Sequence, residues 1–278
     1  MGNGKSHAAP VAAIVVALAL GLAARGADAA VITLTTADNR GADTFVRGGG
    51  GIDPVSGLEF RNTNYGDRET AAAKFIRSGI GGGGPTIDYE NSFTRTAFFR
   101  FDLGAIGGTI TAATLTLGVR STESGDSVPV VLNTIADGHA QDAAPGDGGW
   151  EEFALTMSNS GLVEDAASLI QAVDPVPLTV PGTPGPATGV TVQWSSANLL
   201  SLLNADTNGL VTFVVNGAPS TSPRAITFWS RENTAGGPVP TLQLTVEQDG
   251  TPLPAPEGLV LFMAGLAGLG VLRRLRTA

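Results

Sequence analysis

The sequence predicts an all-β chain, a β-sandwich of jelly-roll type, flanked by an N-terminal signal peptide and a C-terminal hydrophobic helix. Three observations predict it. Short segments of alternating apolar and polar residues recur through residues 30–251, and few segments have helical spacing. Glycine and proline supply 38 and 17 residues. That means many tight turns, yet less than the roughly 25–30% of low-complexity disorder. The chain lacks cysteine, but a body of about 220 residues buries a full core without disulfides.

Each strand follows from its residues. Val31–Thr35 is rich in Val, Ile and Thr. Asp43–Arg47 comes next, then a loop opened by Gly48–Gly51 that runs to about Asp67. Ala72–Arg77 is a strand, followed by a second glycine loop at Gly81–Gly84. In Thr94–Leu103, Ala97, Phe99, Phe101 and Leu103 share one face, and Phe98, Arg100 and Asp102 share the other. In Thr111–Arg120, Leu115, Leu117 and Val119 face inward and Thr114 and Thr116 outward. Val128–Ile135, Glu152–Thr156, Val190–Trp194, Leu210–Val215, Ala225–Ser230 and Thr241–Glu247 complete the strands. Val163–Val173 and Ser196–Leu203 have helical spacing, the second with Ser196 as N-cap; Pro175–Gly189 between them reads as a loop. Parity puts Trp194 in the core with Val190 and Val192. It puts Trp229 opposite Ile226 and Phe228, on the face of Thr227 and Arg231.

Composition excludes most catalytic chemistries. Without cysteine there is no thiolate zinc site, iron–sulfur cluster or Cys nucleophile. Only His7 and His139 are present, too few for a His-rich zinc site. No nucleophile elbow, phosphate loop or dinucleotide fingerprint occurs. Carboxylate chemistry survives this filter. Residues 30–251 hold 11 Lys/Arg against 23 Asp/Glu, and residues 121–223 hold eleven acids and no base. So acidic a body does not attract nucleic acid.

Asp137, Asp142 and Asp147, in a Gly-rich loop before Trp150, are candidate Ca²⁺ ligands; the plainer reading is a solvated turn. No other cofactor is implied. Asn204-x-Asp206-x-Asn208-Gly209 opens like a calcium loop, but Val215 stands where that loop needs a glutamate, so it reads as a turn. Glu151 and Glu152, adjacent in a strand, point to opposite faces and cannot act as a pair.

The ends read as addresses. Lys5, the uncharged stretch Val11–Ala24 and the small-x-small pattern Ala27-Asp28-Ala29 make residues 1–29 a signal peptide cut by signal peptidase. At the other end, Pro252, Pro254 and Pro256 lead into Glu257. An apolar stretch, Leu259–Leu272, follows, and then Arg273, Arg274 and Arg276. As a helix the stretch is about 21 Å long, against a hydrocarbon core of about 30 Å. Residues 252–278 resemble a PEP-CTERM sorting signal, with Gly258 in place of the second proline. The resemblance implies a Gram-negative bacterium, an exosortase as processing partner and transient anchoring in the inner membrane. The destination it implies is the cell surface or the extracellular space.

The body carries a second resemblance. Its marks are Ala42-Asp43-Thr44-Phe45-Val46-Arg47, Asn62-Thr63-Asn64-Tyr65-Gly66, Arg95–Leu103, Trp150-Glu151-Glu152 and Phe228-Trp229-Ser230-Arg231-Glu232. Residues 30–251 are similar to DNRLRE-type domains, exported bacterial β-sandwich modules, some of which bind acidic polysaccharides. This implies a non-catalytic protein that binds or organises extracellular polysaccharide. The candidate glycan-facing set is Arg47, Asn64, Tyr65, Lys74, Arg100, Trp229 and Arg231. Trp229 beside Arg231 suits sugar stacking with carboxylate pairing. Two other readings stay open. One is a structural matrix or surface-layer component without a specific glycan. The other is a carboxylate-based polysaccharide-degrading enzyme.

Overall fold

Alternating apolar residues take the strand geometry that their spacing dictates. The computed structural model describes residues 29–74, 87–218 and 224–248. Ala29 opens the first strand. Ala27 and the C-terminal Pro256, Glu257, Arg273, Arg274 and Arg276 lie outside the described residues. No described helix is long and apolar enough to cross a membrane.

Eleven strands and two short α-helices are present among the described residues. The strands are β1 (Ala29–Thr35), β2 (Ala42–Arg47), β3 (Thr70–Lys74), β4 (Arg95–Asp102), β5 (Thr109–Thr122) and β6 (Val128–Ile135). Helix α1 (Leu162–Leu169) precedes β7 (Ile170–Val180), and α2 (Ala197–Ala205) follows β8 (Thr191–Trp194). Strands β9 (Leu210–Gly217), β10 (Ala225–Trp229) and β11 (Thr241–Glu247) close the order. The sheet runs β1-β11-β5-β10-β3-β4-β9-β6-β7, with β2 also on β4 and β8 also on β5. This is an all-β fold with mainly antiparallel pairing. Strand β4 is its hub: Phe99 lies opposite Asp43 of β2 and Phe213 of β9.

The main core forms where the two expected faces meet. Ala97, Phe99 and Phe101 of β4, and Leu103 just after it, pack in one cluster with Leu115, Leu117 and Val119 of β5 and with Val192 and Trp194 of β8. Phe99 meets Phe228, and Phe101 meets Phe213, at ring centroids 5.9 Å apart in edge-on geometry.

The other face of β4 departs from the simple alternation, because it is buried too. Phe98 joins Ala42, Val46, Val214, Trp150, Leu155, Met157 and Leu162 in a second core. The segment between β6 and β7 supplies the last four of these and covers the face of β2, β4 and β9. Burying Phe98 and Trp150 favours this cover by about 2–3 kcal/mol each.

Three expectations change. Glu152–Thr156 is not a strand: after Trp150 the chain turns, and Ala154 N and Leu155 N both donate to Glu151 O at 3.0 and 2.8 Å. Part of the expected loop Pro175–Gly189 is strand β7, paired with β6 from Val128↔Val180 to Ile135↔Ile170. Two register shifts absorb its irregular middle, and its place at the end of the sheet tolerates prolines that cannot donate to a ladder. Trp229 does not face outward. It is 1% exposed, and its Nε1 donates to Ala187 O at 2.7 Å. By contrast α2 starts as read, with Ser196 Oγ accepting from Leu199 N at 3.1 Å.

Gly237 lies flush against the Trp229 ring, and a Cβ there would fall 2.3 Å from ring carbon. Gly237→Ala therefore overpacks the ring and lowers stability by about 1–3 kcal/mol, a fall of a few degrees in melting temperature. An unchanged melting curve would show that nothing clamps the ring there.

Candidate functional site

Buried charge gathers around Arg231. Asp43, the one acid in strand β2, is 1% exposed. Its backbone N donates to Glu152 Oε1 at 2.9 Å, and its Oδ2 accepts from Thr36 Oγ1 and from Arg231 N, the latter at 3.0 Å. Glu152 is also buried. Its Oε2 forms an ion pair with Arg231 Nη2. Arg231 Nε donates to Glu232 Oε1 at 2.7 Å, and its Nη1 to Thr36 O and Gly41 O at 3.1 and 2.8 Å. One guanidinium thus binds the turn before β2, the turn after Trp150 and the segment after β10.

Local structure holds Glu152 in place. Asn64 Nδ2 donates to Glu152 O and Leu155 O at 2.7 and 2.8 Å. Gly66 passes so close that a Cβ would lie 2.3 Å from Glu152 O. Arg100 supports the turn from below. Its Nη1 donates to Trp150 O at 2.6 Å, its Nε donates to Arg40 O at 2.8 Å, and its guanidinium lies 4.5 Å from the Trp150 ring centroid.

Burial sets the electrostatics. Burial pushes the Asp43 carboxyl up to about 7 against the pull of the Thr36 hydroxyl, with Glu232 and Glu152 adding to the rise. Burial likewise pushes Glu152 up to about 7, with Glu232 adding to the rise and Arg231 opposing it. Burial lowers the Arg100 guanidinium to about 10. Burial works against the charge of Arg231, but Glu232 and Glu152 hold its pKa above the ordinary value.

An open hollow of about 530 Å³ lies over the cluster. Glu152, Arg231 and Arg100 line it together with Arg40 and Phe153. Arg40 is partly exposed and pairs with Asp102 through two hydrogen bonds of 2.6 and 3.0 Å. Phe153 is 64% exposed.

The expected glycan-facing residues separate into three groups. Arg100 and Arg231 line the hollow, but Arg100 is buried under Trp150 and serves the framework. Arg47, Tyr65 and Lys74 lie elsewhere, where Arg95 of β4 pairs in register with both Arg47 and Lys74. Arg47 stacks over Phe60 at 3.3 Å, and Lys74 pairs with Glu123 at 2.8 Å. Tyr65 is buried against Phe45. Asn64 is a bracket for the Glu152 turn, and Trp229 is core. The expected stacking pair of Trp229 and Arg231 is therefore not formed on an open face.

Of the candidate calcium ligands, Asp142 is buried and accepts from Asn208 Nδ2 at 2.7 Å; Asp137 accepts from Thr207 Oγ1 at 2.9 Å. Burial, opposed by Asn208, pushes Asp142 up to about 7, and the charges adding to the rise are Asp206 and Asp137, not the exposed Asp147. Burial also pushes Asp206 up, to about 6.

The chain matches no family model, and no curated protein matches it. The geometry therefore carries the functional reading.

The residues missed from sequence are Asp43, Glu232, Arg40, Phe153 and Glu152 in its real place. A signal existed for two of them. Asp43 is the one acid in the Ala42–Arg47 strand, and Glu232 adjoins Arg231 in the quoted Trp229-Ser230-Arg231-Glu232 run.

The raised carboxyls give a signed pH dependence. The folded chain binds protons at Asp43, Glu152, Asp142 and Asp206 more tightly than the unfolded chain, whose carboxyls titrate near 4. Their stabilising contribution is full below about pH 4 and is lost as pH rises to about 7. In buffer without divalent cations the melting temperature should fall from pH 5 to pH 8, and Asp43→Asn should flatten that fall. A melting temperature that rises over this range would contradict the assignment.

Proposed function

We propose that this is an exported, non-catalytic protein that binds extracellular polysaccharide through the hollow around Arg40, Phe153 and Arg231. The observation that carries the reading is Phe153, a large apolar ring left exposed beside two arginines. Such a ring stacks on the apolar face of a sugar, while the guanidinium groups suit carboxylates and hydroxyls. The likeness of residues 30–251 to DNRLRE-type modules supports the same reading, and with it we propose that the β-sandwich is of jelly-roll type. So do the signal-like N-terminus and the PEP-CTERM-like C-terminus, which imply export and a place at the surface of a Gram-negative cell.

Binding fits this geometry better than hydrolysis. Asp43, Glu152 and Glu232 crowd within 4.8 Å of one another, and the first two are buried. A glycosidase needs both of its carboxyls open to the scissile bond that lies between them. A second reading, a matrix component that assembles through protein contacts, is favoured by Ile52, Val55 and Leu58. These three exposed apolar residues lie in one loop.

The purified full-length chain is expected to be retained selectively by an acidic polysaccharide in a panel of neutral and acidic polymers. Phe153→Ala should weaken retention about tenfold, ~1.4 kcal/mol, with its melting temperature unchanged. A folded chain that no polymer retains would overturn the reading in favour of assembly. Full binding by Phe153→Ala would move the site away from the hollow.

A further inference from the structure

We propose that Asp43, Glu152 and Glu232 form a binding site for a hard divalent cation such as calcium. The three carboxylates come from β2, the turn after Trp150 and the segment after β10, and one oxygen from each lies within 4.8 Å of the others. Ligand oxygens on opposite sides of one calcium ion stand up to about 4.8 Å apart, twice a bond of about 2.4 Å, so three oxygens this close can share one ion. A set made only of carboxylates, with no imidazole or thiolate, suits hard cations rather than zinc or copper.

Proximity of acids alone would describe many surfaces. The second observation is a pair of oxygens that the protein leaves unsatisfied. Asp43 Oδ1, in a side chain 1% exposed, and Glu232 Oε2 have no hydrogen-bond partner among the described residues. Leaving a buried acceptor unmatched is costly, more so when it carries charge. The donors that reach the cluster serve its other oxygens. Thr36 and Arg231 N serve Asp43 Oδ2, Asp43 N serves Glu152 Oε1, and the Arg231 guanidinium serves Glu152 Oε2 and Glu232 Oε1. What is missing from the inventory is a positive charge for Asp43 Oδ1 and Glu232 Oε2. A divalent cation supplies it and offsets the excess of three carboxylates over the Arg231 guanidinium. The hollow reaches the cluster at Glu152 and Arg231. Such an ion clamps three distant segments together, whether or not a glycan binds above it.

The test takes the full-length chain, stripped with a chelator and free of polysaccharide, and titrates it with calcium chloride by calorimetry and thermal denaturation. One saturable site is expected, with a rise in melting temperature of about 3 °C or more at saturation. Glu232→Gln, at a partly exposed side chain where the amide keeps an oxygen for Arg231 Nε, should weaken binding at least tenfold, and Asp43→Asn likewise. Asp206→Asn, in the other acidic cluster, should leave binding unchanged. The proposal is overturned if the folded wild type shows no saturable binding at about 10 mM calcium, above the roughly 1 mM constants of weak extracellular sites. It is equally overturned if binding survives Glu232→Gln and is lost in Asp206→Asn.

Discussion

A charged guanidinium cannot be placed within a fold unless its surroundings answer it, and Arg231 sets this constraint here. Its side chain is answered by Glu152, Glu232 and the carbonyls of Thr36 and Gly41. Those partners lie on segments remote in sequence, so forming the cluster fixes how β2, the turn after Trp150 and the end of β10 meet. Asp43 completes the link by accepting from Arg231 N and donating to Glu152. Removing one member strands the others, which makes such a network costly to break and specific in what it holds.

The surface above is a product of that interior. The turn that brings Glu152 down to Arg231 is bracketed by Asn64, approached by Gly66 and anchored through Trp150 under Phe98. With the turn held on these three sides, Phe153, the next residue, is left on the outside. Arg40 is placed in a similar way: its carbonyl accepts from Arg100 Nε, and its guanidinium pairs with Asp102. An exposed ring and an arginine thus stand on a rigid base, the kind of arrangement that limits the entropy lost when a ligand binds.

The sequence revealed what depends on near neighbours. The alternation in β4 and β5 identified the residues of the main core, because strand parity is local. Ser196 announced α2 for the same reason. The second face of β4 was not legible, since a segment fifty or more residues downstream covers Phe98 and Arg100. Strand β7 was hidden by its prolines, which an edge position tolerates. Trp229 was misplaced because parity cannot foresee a loop that closes over a strand end. The site was least legible. Asp43 is 109 residues from Glu152 and 188 from Arg231, and no spacing rule reaches so far. Glu152 was read from a strand that does not form.

The central claim is that Arg231 and Glu152 are energetically coupled inside the fold. A double-mutant cycle with Arg231→Met, Glu152→Gln and the double variant, followed by urea denaturation, measures this directly. The structure predicts a coupling energy of about 1–3 kcal/mol, each single change costing more than its share of the double. Effects that add to within about 0.5 kcal/mol would contradict it, because the two side chains would then not share one buried network.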